Sequence, residues 1–319
     1  MNIFDAIIQG IVQGLTEFLP VSSSGHLAIS QHILGVTEDN LFFNVMLHVG
    51  TLVAVCAVYY KLIIRLFKAL GGMVADICRG KFKWSEMDED RNLIIMLVIG
   101  LLPLFLLFVP LPFSGGLAAK DLAEIWSGNT GYFIIVGISL IFTCILLTIG
   151  IFMNRYTTRK YAEKGIVKKN GAGRVRYNIL DALCVGIAQF FAAIFPGLSR
   201  SGSTLAVGQL RGINKQAALD YTFILAIPSI LAAALMETID AVQTDALQNI
   251  EILPIIVGVI SSAVVGFFAI LLFKWMLAKD RMYIFVIYTA VVGVAVIVVS
   301  LIEMHSGTNL FTGATLTYG

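Results

Sequence analysis

The 319-residue chain is 58% hydrophobic and only 13% charged, against roughly 45–50% and about 25% in soluble domains. That balance excludes an ordinary water-soluble domain and points to a polytopic membrane protein. The net charge of +2 carries little information by itself. The four cysteines, Cys56, Cys78, Cys144 and Cys184, show no CxxC or metal-type spacing, so no disulfide framework is implied.

The N-terminal stretch MNIFDAIIQG lacks the positive region and small-residue cleavage site of a secretory signal and is expected to stay on the mature protein. Segment 3–36 is apolar at both ends but interrupted by EFLPVSSSGH. Too long for a simple span and broken where a span would be deepest, it is predicted to form a helix, a polar loop and a second helix. Apolar stretches at about 41–60, 92–112 and 130–153 can each cross a hydrocarbon core of about 30 Å, which takes roughly 20 helical residues. Segment 178–213 repeats the broken pattern around PGLSRSGST, and stretches at about 217–236, 252–275 and 283–303 complete six predicted spans.

Loop charges orient these elements, because Lys and Arg are retained on the cytoplasmic side. Of the 22 basic residues, 7 lie in 61–91, 8 in 155–176 and 3 in 274–281, and 2 more are Arg211 and Lys215. Lys120 is alone in the 113–129 connection, while 237–251 and the tail after 303 have none, which places these outside. Segment 3–36 must then enter and leave on the outer face, and 178–213 on the cytoplasmic face. The expected fold is all-α with an inverted-topology repeat, each half a re-entrant helix-loop-helix followed by three transmembrane helices. The halves are 1–153 and 178–319, the cytoplasmic linker is 154–177, and both termini lie outside.

An alignment within the chain supports the repeat. Setting DAIIQGIVQGLTEFLPVSSS (5–24) against DALCVGIAQFFAAIFPGLSR (181–200) pairs Asp5 with Asp181, Gly10 with Gly186, Gln13 with Gln189, Pro20 with Pro196 and Ser23 with Ser199. A slip of one residue pairs SSG with RSG. Broken helices in inverted repeats put a binding site near the midplane, where the two loops meet.

Brought together, the loops pool Glu17, Ser22, Ser23, Ser24, Gly25 and His26 with Ser199, Arg200, Ser201, Gly202, Ser203 and Thr204. The second set reads as a phosphate cradle: backbone amides form an anion nest, a helix N-terminus adds positive potential, and Arg200 offers a bidentate fork. An arginine at bilayer depth without an anionic partner costs roughly 2.5–3.5 kcal/mol on insertion scales, so a function is expected for it. The first set supplies reactivity, a serine with a histidine base and a carboxylate to orient the imidazole. Plainer readings stand beside these. Any of Ser22 to Ser24 can serve only as an N-cap, and His48 reads as a helix-packing hydrogen bonder or a pocket wall. Asp5 and Asp181 suit helix starts, and SEMDED (85–90) suits a solvated face.

The stretches QGLTEFLPVSSSGHL and PGLSRSGST, together with the spacing of the spans, closely resemble the undecaprenyl pyrophosphate phosphatase family of bacterial membranes, the type associated with bacitracin tolerance. The resemblance covers nearly the whole chain. It implies hydrolysis of C55 polyprenyl pyrophosphate to the monophosphate carrier lipid, reused for peptidoglycan and other envelope polymers. The site would open on the outer face of the bacterial cytoplasmic membrane.

The family's motif residues fall on Glu17, Ser23, His26 and Arg200, with Ser22, Ser24, Gly25, Ser199, Ser201, Gly202, Ser203 and Thr204 around the phosphate. Ser23 attacking, with His26 as base oriented by Glu17, is the preferred assignment; direct attack by a histidine, or by a water that His26 activates, stays open. The resemblance also implies a divalent cation, Mg2+ or Ca2+. Many members carry a second glutamate where this chain has Gln13, so Glu17 and the pyrophosphate oxygens would carry most of the coordination and Gln13 only a carbonyl oxygen. Polyprenyl pyrophosphate and membrane lipid are the expected partners, nucleic acid is not, and a homodimer is left open. A transporter or flippase of a lipid phosphate is the alternative, since it would use the same inverted-repeat pocket.

Overall fold

A computed structural model describes residues 2–35, 41–84, 87–111, 116–128, 132–165, 172–243 and 251–316. The expectations for Ser85 and Glu86, and for parts of the 113–129, 155–176 and 237–251 connections, fall outside these residues. The chain is helical throughout its long elements. In order these are α1 (Ile3–Phe18), α2 (Ser23–Leu34), α3 (Leu41–Cys78), α4 (Glu89–Leu101), α5 (Ala119–Gly128), α6 (Phe133–Glu163), α7 (Ile179–Ile194), α8 (Arg200–Leu210), α9 (Lys215–Gln243), α10 (Ile252–Ala278) and α11 (Tyr283–Ser306). Among the described residues six helical stretches are long and apolar enough to cross a membrane, and each coincides with one of the six predicted spans.

Four boundaries differ from expectation, one of them being α9, which runs on past residue 236 to Gln243. α3 continues past residue 60 to Cys78, with a break in helical geometry at Tyr59 (φ −103°, ψ 16°). Ion pairs to the next helix hold the extension: Arg65 with Asp90 at 2.5 Å, and Asp76 with Arg91 at 2.7 Å. α6 likewise runs on through basic residues to Glu163, because a Lys or Arg stem can continue a helix as its head reaches water. After α4 the chain tightens into a 3-10 segment, Leu102–Phe108, opened by Pro103, which has no amide hydrogen for an α-helical bond.

Two short helical hairpins, α1–α2 and α7–α8, pack against the long helices. α1 lies along α10, and α7 lies along α4 and the 3-10 segment. Both contacts need a glycine. A Cβ at Gly10 would sit 2.6 Å from the Gly258 carbonyl oxygen, and one at Gly186 would sit 2.4 Å from that of Gly100. Close backbone approach through small residues is how helices gain packing energy where lipid is the solvent. The main core, which includes Phe18, Tyr59, Tyr221, Phe223 and Phe273, fills the space between α1, α3, α9 and α10. Large apolar side chains such as Phe105, Phe152 and Phe268 point outward, as a lipid-facing surface requires.

Candidate active site

Each hairpin turns through a proline and a serine cap. After α1 the chain passes Pro20 and Val21 to Ser22, whose φ of +73° is left-handed, a conformation that side chains rarely adopt. Ser22 Oγ accepts the Gly25 amide at 3.2 Å and so caps α2. After α7 the chain passes Pro196 and Gly197 (φ +95°) to Ser199, whose Oγ accepts the Gly202 amide at 3.1 Å and caps α8. Gly197 could not be larger, since a Cβ there would meet the Val136 carbonyl oxygen at 2.5 Å.

The two turns touch. Ser24 Oγ accepts the Gly197 amide at 3.4 Å, and Ser201 Oγ donates to the Leu19 carbonyl at 3.0 Å. Thr143 of α6 braces the second turn, accepting the Ser199 amide at 2.9 Å and donating to the Gly197 carbonyl at 3.2 Å.

Glu17, in the last turn of α1, is the hub. Its side chain is 2% exposed, yet three donors and the edge of the His48 ring reach it. Ser23 Oγ donates to Oε2 at 2.6 Å and Gln13 Nε2 to the same oxygen at 2.8 Å, while Arg200 Nη2 binds Oε1 directly. His48 Nε2 lies 3.4 Å from Oε2. Arg200 also donates to Ser229 Oγ of α9 at 3.2 Å. Buried charge persists only where it is paired in this way. The expected meeting of the Arg200 guanidinium with the first loop is therefore present, through Glu17 and beside Ser23.

The expected Glu17–His26–Ser23 relay is not assembled. Both His26 nitrogens are engaged elsewhere, Nδ1 at 2.7 Å from the Ser22 carbonyl and Nε2 at 2.7 Å from Tyr288 Oη, and the ring stacks on Tyr288. The left-handed turn at Ser22 aims its carbonyl at the imidazole and captures it. His48 stands beside the hub instead. Its Nδ1 must carry the hydrogen, because it faces the Asn44 carbonyl at 2.7 Å, and its Nε2 faces Glu17.

A cavity of about 420 Å³ opens onto this cluster, lined by Glu17, Ser22, Ser23, Ser24, His48, Ser199, Arg200 and Ser229. Lys120 and Glu124 of α5 line it too, together with an apolar wall that includes Leu104, Leu107, Phe108, Ile230 and Met236. Gly25, Ser201, Gly202, Ser203 and Thr204 do not line it. The nest expected from the 201–203 amides is partly used up, because Ser199 takes the Gly202 amide on its Oγ and the Ser203 amide on its carbonyl. Sequence reasoning left out Gln189, Ser229 and Lys120, all in the cavity wall.

These residues do not make a cation cage. Gln13 turns its NH2 toward Glu17 and leaves Oε1 buried without a partner, and Arg200, Ser23 and Gln13 already occupy both Glu17 oxygens. Among the described residues no group of three or more His, Cys, Asp or Glu side chains is placed to hold a metal ion. A hard cation needs about six oxygens.

A family model described as "Bacitracin resistance protein BacA" matches residues 6–295. The chain belongs to the BacA family. Among relatives named undecaprenyl-diphosphatase, that of Alkaliphilus metalliredigens is 39% identical over 95% of this chain and 100% of its own length. That of Bacteroides fragilis is 36% identical over 95% and 100% of the two chains, and that of Methanosphaera stadtmanae 33% over 95% and 99%. In this BacA chain the cavity cluster draws on α1, the first turn, the start of α2, α3, α8 and α9, so both halves of the matched region build it.

Proposed function

We propose that this BacA-family chain hydrolyses the terminal phosphate of undecaprenyl diphosphate, releasing undecaprenyl phosphate and inorganic phosphate. The observation that carries the reading is Ser23 Oγ at 2.6 Å from a buried carboxylate whose other oxygen holds Arg200, all in the wall of a largely apolar cavity. A hydroxyl beside a base and a guanidinium is what phosphoryl transfer needs, and the apolar wall suits an isoprenoid.

In this reading the diphosphate competes with Glu17 for Arg200. As the guanidinium leaves Glu17 Oε1 for the phosphoryl oxygens, the carboxylate loses its cationic partner and Oε2 takes the Ser23 proton it already faces. Ser23 Oγ then bonds to the terminal phosphorus, the bond from that phosphorus to the bridging oxygen breaks, and lipid monophosphate leaves with the bridging oxygen. Water then attacks the phosphoserine phosphorus as His48 Nε2 takes its proton, the bond from that phosphorus to Ser23 Oγ breaks, and Glu17 returns its proton to the Ser23 oxygen. His26 acts at one remove, holding the Ser22 turn that points Ser23 at Glu17. Catalysis is mostly electrostatic, by charges positioned before the substrate arrives.

The cavity wall carries Arg200 and Lys120 against Glu17 and Glu124, so its formal charges cancel and a diphosphate brings uncompensated negative charge. We place the divalent cation on the diphosphate itself rather than in a protein cage. EDTA should then abolish turnover, and Mg2+ or Ca2+ should restore it.

We read the two hairpins as re-entrant and the halves as inverted, with the cavity opening outward beside Lys120, where the lipid carrier would be recycled for envelope synthesis. In a cysteine-free background, Lys120→Cys should react with a membrane-impermeant maleimide in intact cells, whereas Arg176→Cys should not. The test of function is inorganic phosphate released from C55 polyprenyl diphosphate by purified protein in detergent, with no gradient present. Transport of the lipid with no phosphate produced would replace this reading with a carrier.

A further inference from the structure

Gln189 of α7 stands in the wall of the cavity that holds Glu17, Ser23 and Arg200, 2% exposed, with its Nε2 buried and without a hydrogen-bond partner. Buried carboxamides ordinarily find partners, because an unpaired NH2 forfeits its hydration for nothing. Gln13, its counterpart in the aligned repeat, has one, donating at 2.8 Å to Glu17 one helical turn further on. One turn beyond Gln189 the residue is Ala193, which also lines the cavity. The first hairpin therefore sets a carboxylate in front of its amide, and the second sets open space there. A half-turn of the amide plane brings the NH2 to that space, and the two ends of a carboxamide are interchangeable in shape.

We propose that Gln189 holds the substrate, its carboxamide donating to a phosphoryl oxygen of the bound diphosphate, so that an oxyanion sits before Gln189 as the Glu17 carboxylate sits before Gln13. A neutral donor anchored on α7 would add a second contact from the hairpin that also carries Arg200. The proposal rests on the diphosphatase reading above and adds a specificity-determining residue to it.

Steady-state hydrolysis of polyprenyl diphosphate by wild type, Gln189→Met and Gln189→Glu tests it. Methionine keeps the length and removes the donor, so KM should rise about 10-fold while kcat stays within about 3-fold. Glutamate faces the phosphate with like charge and should lower kcat/KM at least about 100-fold. A KM for Gln189→Met equal to wild type overturns the proposal, as does a fall in kcat alone. If the methionine variant does not elute as a folded monodisperse protein, an unchanged KM in Gln189→Glu overturns it equally. Should wild type release no phosphate at all, the diphosphatase reading fails and a binding measurement still decides this one. A methylene-bridged polyprenyl diphosphonate should bind Gln189→Met about 10-fold more weakly than wild type, and equal affinity would sink the inference.

Discussion

In both hairpin turns a serine caps the second helix, Ser22 taking the Gly25 amide and Ser199 the Gly202 amide, and the next residue begins that helix. In the first turn that residue is Ser23; in the second it is Arg200. Both side chains reach the same carboxylate, Glu17, one to each oxygen. Two residues past each cap, Ser24 and Ser201 engage the backbone of the opposite turn. The turns thus match in their serine caps and in the bonds that join them, although the Ser22 cap is left-handed (φ +73°) and the Ser199 cap is extended (φ −64°), and they differ in what the matching positions carry. One presents a nucleophile, the other a cation. With Glu17 on α1 answered only by Ala193 on α7, a nearly symmetric frame becomes a site with a single reactive end.

The largest effects should come from erasing that difference. Ser23→Ala and Arg200→Ala should each lower kcat/KM about 1,000-fold or more, the first by removing the attacking oxygen and the second by removing the charge on the transferring group. Arg200→Lys keeps the charge but loses the fork and should cost about 100-fold. A lysine variant near wild type would mean that the guanidinium geometry is idle. Next come the histidines, which separate proton transfer from support. His48→Gln should lower kcat about 10- to 100-fold, because Nε2 faces Glu17 in the cavity. His26→Phe, which keeps the stack on Tyr288, should cost about 10-fold or less. A loss at His26 as deep as that at Ser23 would return the base role to His26.

How much of this could be read beforehand depended on the range of the interaction. The six spans were legible because an apolar run of fixed length is a local property, and so were the two breaks, because proline, serine and glycine stop helices in their own neighbourhood. The plainer reading of the serines was also local and holds for one of them, since Ser22 is a cap while Ser23 faces Glu17. The pairing of His48 with Glu17 was not legible. His26 is the nearer histidine in sequence, and what removes it from the cluster is Tyr288, 262 residues away, together with the left-handed turn at Ser22. The extensions of α3 and α6 were hidden for the opposite reason. Their charges marked loops by the topology rule, whereas ion pairs to α4 let the α3 extension remain helical.

The roots of the hairpins give the smallest test of the same comparison. α1 begins with a lone cap, the exposed Asn2 accepting the Asp5 amide at 2.8 Å. α7 begins with Asn178 and Asp181 capping each other, and with Arg174 and Arg211 both bound to the fully buried Asp181 carboxylate at 2.8 Å. Burial alone would push that carboxyl up. Hydrogen bonds from Arg174, from the Asn178 backbone and from Arg211 outweigh burial and hold it below its ordinary value. A carboxyl depressed in the folded state contributes stability that is complete above its unfolded pKa of about 4 and is lost as pH falls through the folded value. Thermal melting in detergent should therefore weaken below about pH 4 in wild type. Asp181→Asn should melt lower at neutral pH, by on the order of 2 kcal/mol given two partly solvated arginines, and should show less of the acid decline. The matching change Asp5→Asn should lower the melting temperature less, because among the described residues no Arg or Lys pairs with Asp5 as Arg174 and Arg211 pair with Asp181. Equal responses at the two roots would mean that the hairpins are tethered alike, and that the asymmetry between them is confined to the residues around Glu17.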